Sequence, residues 1–270
     1  MLPVFVPSYK RPKATFLKRS VLYEFPLYVF VRREEAPDYG YLKNRPNTHL
    51  IKIHGVHDIG ETRRVMVKYA ISKHIDKIVM VDDDVSRLDL SVWDEEKGIC
   101  KASGTVKGKP EDWAVVLRRW EKLWEDEAMF GASYRPFSWS VKHEDMMKSA
   151  LSQLQQCVGV NVKVLKEEGL NYQSNSVVGN EDLFLQLQCY EHGLQAVVSR
   201  AIQYDCAAMG SGEGGCNASE KGSLIEKQER RVKAFMKACQ TPEWVRIGQT
   251  RSGLKSIKFV WSKIRKELSV

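Results

Sequence analysis

Short apolar runs alternating with amphipathic stretches set the pattern of the first third of the chain. Leu2 to Pro7, Leu27 to Val31, Leu50 to His54 and Lys77 to Val81 are dense in β-branched and aromatic residues, as buried strands are. Lys13 to Tyr23 and Gly60 to His74 lie between them as helical candidates, the second with Val65, Tyr69, Ala70 and Ile71 at helical spacing. Strand and helix in alternation predict an α/β domain, with a mostly parallel sheet, right-handed crossovers and helices on its faces.

The middle of the chain is less regular. Trp93 to Pro110 is rich in Lys, Gly, Ser and Glu and predicts a surface excursion of hairpin type. Glu111 to Met129 reads as a helix with Trp113, Val116, Leu117, Trp120 and Trp124 on one face, a pattern that favours core packing over base stacking. Leu154 to Leu165 alternates from Val158 onward and predicts a strand. Asn180 reads as the cap of a helix that Gly193 stops, and Gln195 to Tyr204 as another strand. Gly210 to Gly215 reads equally as a loop that closes over a ligand or as a plain connection. Two charged amphipathic helices, Ser223 to Cys239 and the basic Leu254 to Leu268, end the chain.

Candidate chemistry sits where Ile78 to Val81 runs into Asp82, Asp83 and Asp84. At the carboxyl edge of a strand these acids occupy the place where open α/β sheets bind ligands. Three like charges repel, and a divalent cation relieves them; carboxylate oxygens suit Mg²⁺ or Mn²⁺, which in turn hold phosphate oxygens. The pattern points to a phosphorylated donor, with a capped turn as the plainer alternative. A second acidic pair, Glu181 and Asp182, begins the helix after Asn180, where the helix dipole by itself favours acids.

Composition narrows the setting. With 43% of 270 residues hydrophobic, the chain has enough for a substantial core. No run approaches the roughly 20 apolar residues of a membrane span, and the N-terminus reads as a first strand rather than a leader. Six cysteines without a CxxC pair argue against a zinc ribbon or a disulfide framework and point to a reducing cytoplasm. The net charge of +8 gathers early, at Lys10, Arg11, Lys13, Lys18 and Arg19, and in the tail from Arg246 to Lys266. A polyanionic partner such as DNA or RNA is therefore a candidate.

Four segments in order, Val6-Pro7-Ser8-Tyr9-Lys10-Arg11-Pro12, Gly60-Glu61-Thr62-Arg63-Arg64, Val81-Asp82-Asp83-Asp84 and Gly179-Asn180-Glu181-Asp182, resemble the landmarks of GT-A glycosyltransferases of the family 2 type. The resemblance implies a GT-A domain over 1–215, its nucleotide-sugar half near 1–90 and its acceptor half near 130–215, followed by a basic helical C-terminal extension over 216–270. It implies that Pro7 and Ser8 shape the nucleotide loop, Tyr9 offers a ring face and Arg11 approaches the diphosphate. Glu34 is nominated for the base or ribose, and one of Arg63 and Arg64 for the nucleotide. Asp82, Asp83 and Asp84 stand at the DxD motif, with Asp82 at the ribose or a metal-bound water and Asp84 ligating Mg²⁺ or Mn²⁺. Glu181-Asp182 stands at the family's downstream acidic pair, with Asp182 as the base that deprotonates the acceptor and Glu181 as the alternative. Many GT-A enzymes bring a late His to the metal; this chain has none after Arg200, which leaves Asp205, Glu213 or water in that position.

A short, basic chain of this kind is similar to the bacteriophage TET-associated glycosyltransferases, which add sugars to hydroxymethylated pyrimidines in DNA. That likeness implies an inverting enzyme with a nucleotide-sugar donor, UDP-sugar by family habit, and a hydroxymethylcytosine-type acceptor in DNA. It also implies a host-cytoplasmic location, no membrane and no obligate protein partner. Phe137 and Trp139 are candidates to stack on an extruded base, although a packed wall is the simpler use of that cluster. A polysaccharide, lipid-linked or protein acceptor, or a non-catalytic DNA-binding protein, are the competing readings. A nucleotidyltransferase is disfavoured because Val6 to Pro12 lacks a Gly-Gly signature.

Overall fold

Four apolar runs form strands close to where the pattern puts them: β1 (Val4–Pro7), β2 (Leu27–Arg32), β3 (Thr48–Ile53) and β4 (Lys77–Val81). The computed structural model describes residues 1–14, 16–18, 24–97, 99–102, 110–134, 148, 152–173, 179–206, 221–250 and 253–268. Phe137, Trp139, Glu213 and the run Gly210 to Gly215 lie outside these residues. Five further strands, β5 (Val85–Asp94), β6 (Ile99–Ala102), β7 (Met129–Tyr134), β8 (Cys157–Asn161) and β9 (Ala196–Cys206), complete a nine-stranded sheet. Its order is β3-β2-β1-β4-β8-β7-β9-β5-β6. Antiparallel pairing reverses β8 and β5 relative to the other seven, so the sheet is mixed and mostly parallel, as expected.

Burial on both faces explains why β1, β2 and β4 are continuously apolar, while the edge strand β3 exposes His49 and Lys52. Phe5, Ile78 and Met80 pack on one side, among α1 (Ile59–Ser72), α3 (Val162–Glu167) and α4 (Glu181–Glu191). Val4, Val6, Val79 and Val81 face the other side, against α2 (Pro110–Leu123). Burying each such side chain contributes roughly 1.5–3 kcal/mol. Trp113 and Trp120 of α2, and Trp124 just after it, are core residues.

Several boundaries differ from the sequence pattern, each for a local reason. The alternation from Val158 stops at Asn161, whose side chain accepts a hydrogen bond from the Val164 amide at 3.3 Å and caps α3. Leu88, Leu90 and Val92 alternate along β5, a strand signature that the preceding acids obscure. The predicted helix to Met129 ends at Leu123, and Met129 starts β7. The described residues of Lys13 to Tyr23 hold a single 3₁₀ turn, Phe16–Lys18, and a 3₁₀ helix that contains Pro37, Arg33–Asn44, lies outside the sequence pattern. The described part of the excursion after Trp93 pairs as a hairpin, with Trp93 opposite Cys100.

The C-terminal module is helix, hairpin and helix rather than two helices. Ser223 and Glu226 cap α5 (Leu224–Ala238) reciprocally. Within Leu254 to Leu268, Lys255-Ser256-Ile257-Lys258-Phe259 has period two and forms β11 (Lys255–Phe259) against β10 (Val245–Gln249), so the last helix, α6 (Trp261–Leu268), is short. The module is not a separate layer: Phe235 meets Phe184 of α4 edge-on at 5.3 Å, and Tyr190 packs against Phe259 and Trp261. Among the described residues no helix is long and apolar enough to cross a membrane.

Candidate active site

Parallel pairing of β1 with β4, in the register Val4 to Val79, ends both strands at one sheet edge and brings Ser8 to the acids. Ser8 Oγ donates to Asp83 Oδ2 at 2.6 Å and hydrogen-bonds the Tyr39 hydroxyl at 2.8 Å. Arg11 Nη1 donates to Asp83 Oδ1 and Asp84 Oδ2, both at 3.0 Å. Around them the loop turns at Lys10, whose φ of 56° lies in the left-handed region. Its amide donates to Glu35 Oε2 at 2.7 Å, and the Arg11 amide to the Tyr39 hydroxyl at 3.1 Å. Thus Glu35 is tied to this loop while its neighbour Glu34 faces solvent. One face of the Tyr9 ring is covered by the Arg32 guanidinium, 3.9 Å from the ring centroid.

A second set of contacts converges on Arg63, which is 2% exposed. Asp58 caps α1 by accepting from the Glu61 amide at 2.7 Å, which fixes the first turns from which Arg63 extends. Arg63 Nη2 donates to Asp82 Oδ1 at 2.7 Å, Nη1 donates to Asp182 Oδ1, and Nε lies 3.6 Å from Glu181 Oε1. One guanidinium therefore joins the two acidic segments, 100 residues apart, that the sequence singled out. Arg64 forms no ion pair among the described residues.

Asp182 is held further by the Tyr172 hydroxyl, which donates to Oδ1 at 3.1 Å, and by the Gln156 amide, which donates to Oδ2 at 3.1 Å. The Gln156 carbonyl accepts from the Asp82 amide at 2.9 Å, so one left-handed residue, φ 58°, touches both acidic sites through its backbone. Close approach of α1 to the Tyr172 segment needs Gly60, where a Cβ would lie 2.3 Å from the Gln173 carbonyl oxygen. Sequence reading did not find Tyr39, Glu35, Gln156 or Tyr172. Gln156 acts through its backbone and leaves no side-chain signal, and Tyr172 sits in a polar stretch of the sequence, Asn171 to Ser176, that carries no helix or strand period.

Burial sets the electrostatics. It lifts the Asp83 carboxyl to about 6, against the hydrogen bond from Ser8 and the charge of Arg11. Asp82 is likewise raised by burial above the usual carboxylate range; Arg63 opposes the rise, while Asp84, Glu181 and Asp83 add to it. Burial also pushes the Tyr172 phenol up, so it stays a hydrogen-bond donor. In the site, Asp84 Oδ1 and Glu181 Oε2 are buried carboxylate oxygens without a hydrogen-bond partner among the described residues.

A sequence profile described as TET-Associated Glycosyltransferase matches residues 2–215. The chain belongs to the TET-associated glycosyltransferase family. No curated protein matches it. Among solved structures it is similar to GalNAc-T7 with UDP, GalNAc and Mn²⁺, at TM-score 0.51 and 9% identity, over 100% of this chain and 54% of that one. The chain thus spans about half the length of GalNAc-T7, and the likeness shows a shared GT-A fold. A weaker likeness, TM-score 0.43 and 7% identity over 88% of this chain and 96% of the other, is to 4-diphosphocytidyl-2C-methyl-D-erythritol synthase from Anaerococcus prevotii.

The family resemblance implies a divalent cation, and the acids accept that test in one form. Among the described residues no three His, Cys, Asp or Glu side chains converge to cage a metal. Mg²⁺ and its analogues are commonly held by one or two carboxylates together with substrate phosphates, and the unengaged Oδ1 of Asp84 fits such a site. Val85 pairs with Cys206, which sets Asp205 at the neighbouring strand end, where its Oδ1 accepts from the Cys206 amide at 3.0 Å.

Proposed function

We propose that this glycosyltransferase moves a sugar from a nucleotide-sugar, UDP-sugar by preference, to a hydroxymethylpyrimidine in DNA, with inversion and with the help of Mg²⁺ or Mn²⁺. The observation that carries the reading is the Arg63 bridge from Asp82 to the Glu181–Asp182 pair. It supports a single reaction centre with the donor's diphosphate on one side and the acceptor hydroxyl on the other.

In this reading Pro7, Ser8 and Tyr9 border the nucleotide, with Arg11 beside its diphosphate. Five carboxylates, Asp82, Asp83, Asp84, Glu181 and Asp182, face two guanidiniums, Arg11 and Arg63, so a diphosphate entering here needs further positive charge. Asp84, with Asp82 beside it, would hold the cation, which when bound supplies Lewis-acid stabilisation of the departing nucleoside diphosphate. Asp182 is the base. Hydrogen bonds from Arg63, Tyr172 and Gln156 fill three of the four lone-pair positions of a carboxylate, orient it, and leave one on Oδ2 for the acceptor proton. As that proton moves to Asp182, the acceptor oxygen forms its bond to the anomeric carbon, and the bond from that carbon to the phosphate oxygen breaks with its electron pair. Glu181, whose Oε2 accepts no hydrogen bond among the described residues, is the second candidate for the same task.

The test is transfer of radiolabel from a panel of UDP-sugars, with Mn²⁺, to duplexes with and without hydroxymethylcytosine and to glycan and peptide acceptors. Label on the hydroxymethylated duplex alone is the expected result. Label confined to a glycan or peptide overturns the acceptor, and transfer undiminished by a chelator overturns the role of the cation.

A further inference from the structure

Charge is divided unevenly along the chain. Residues 221–270 hold 13 Lys and Arg against 4 Glu, a net +9, so the remaining 220 residues come to −1 and the whole excess of +8 belongs to the C-terminal module. The family match ends at residue 215, before this module begins.

We propose that the module is a docking surface for the phosphate backbone of duplex DNA, which holds the acceptor strand beside the start of α4. The inference rests on the DNA-acceptor reading above and gives it a place. Seven of the module's cations, Lys233, Lys237, Arg246, Lys258, Lys263, Arg265 and Lys266, form no ion pair among the described residues, whereas Lys255 is paired with Glu229. Like charges face each other directly in the hairpin, where Arg246 stands opposite Lys258 on one face and the stem of Lys258 lies across Gly248. Such a cross-strand pair opposes the hairpin that contains it, and a polyanion laid along that face relieves the repulsion. The opposite side of the module is occupied, since Val232, Phe235, Ile257, Phe259 and Ile264 belong to the main core. The hairpin face that carries Arg246 and Lys258 is therefore presented on a fixed support.

The module also touches the reaction centre. The buried Arg231 of α5 lies over Gly179, whose φ is 75°, and a Cβ there would come within 2.8 Å of the guanidinium. Gly179 precedes Asn180, Glu181 and Asp182, so the support of the basic surface and the candidate base share one backbone turn. Nucleic-acid affinity is dominated by phosphate contacts, which carry no sequence preference and weaken steeply with salt. A surface of this kind suits an enzyme whose selectivity resides in the modified base.

The experiment measures binding of the full chain to an unmodified 24-base-pair duplex by fluorescence anisotropy from low to high salt, with no sugar donor present. Because neither donor nor modified base takes part, its outcome is independent of whether glycosyl transfer is correctly assigned. One cation from each element is replaced together: Lys233→Gln, Arg246→Gln, Lys258→Gln and Lys266→Gln, with Lys52→Gln/Lys68→Gln as a control on the other part of the surface. The wild type is expected to bind with a steep salt dependence. The fourfold variant should lose roughly tenfold to hundredfold in affinity and flatten the log–log salt slope by about 3 to 4, at roughly 0.9 per phosphate contact, while the control matches the wild type. Equal affinity of the fourfold variant and the wild type, or a larger loss in the control, overturns the proposal. So does tighter binding to vesicles of anionic phospholipid than to duplex at matched phosphate, which assigns the surface to a membrane.

Discussion

Asp82, Asp83 and Asp84 leave the end of a strand, whereas Glu181 and Asp182 open a helix, and the two groups are neutralised differently. At the strand end Arg11 reaches Asp83 and Asp84 from a loop and is partly exposed, so a ligand can displace or join it. At the helix start Asp182 is fixed by a buried guanidinium, a phenol and a backbone amide. The first arrangement suits a site that must accept and release a charged donor; the second suits a base that must not move. Among the described residues, Arg63 is the side chain that pairs with both.

Removing that link gives the largest expected effect. Arg63→Met leaves Asp82, Glu181 and Asp182 without their buried partner and should destabilise the fold by about 3–5 kcal/mol in urea unfolding. Arg63→Lys keeps the charge but loses the planar fork and should fall between that variant and the wild type. A loss under 1 kcal/mol for Arg63→Met means the two acidic sites are not joined as described.

Next comes the donor side. At a donor concentration a hundredfold above Kd, binding stabilises a protein by about 2.7 kcal/mol. In thermal-shift titrations with Mn²⁺, Asp84→Ala should lose most of that, and the remainder should be indifferent to the metal. A full metal-dependent shift in Asp84→Ala removes this residue from the cation site. The smallest effect sharpens the helix side: Gly179→Ala places a Cβ at positive φ against Arg231 and should lower stability by about 1–2 kcal/mol. No change in unfolding there means that Arg231 shifts freely and the module is not locked to α4.

How much of this was legible before the structure follows from what each residue uses. The parallel strands and both acidic segments announce themselves because a buried strand is written in consecutive apolar side chains and its end in charge. Strand β5 went unread because Val85 follows three acids and its alternation carries Ser, Arg and Asp on the polar positions. The hairpin in the module was hidden by lysines that suit a helix surface as well as a strand face. In the site, the sequence offers Arg63 and Arg64 alike for the nucleotide, and the burial of Arg63 among acids depends on Gly60, Asp58 and a segment more than 100 residues away. Glu35 rather than Glu34 reaches the loop because the Arg33–Asn44 3₁₀ helix sets which of two adjacent acids turns inward, a register that side-chain chemistry alone does not reveal.

The most direct measurement is single-turnover sugar transfer by Asp182→Asn alongside its donor affinity, with Glu181→Gln run in parallel. If the strand-end acids serve the donor and Asp182 serves the acceptor, Asp182→Asn should bind donor within about threefold of the wild type and transfer at least roughly 10²-fold more slowly, the scale of a lost general base. Transfer by Asp182→Asn at the wild-type rate contradicts the account, and a loss confined to Glu181→Gln moves the proton to its neighbour.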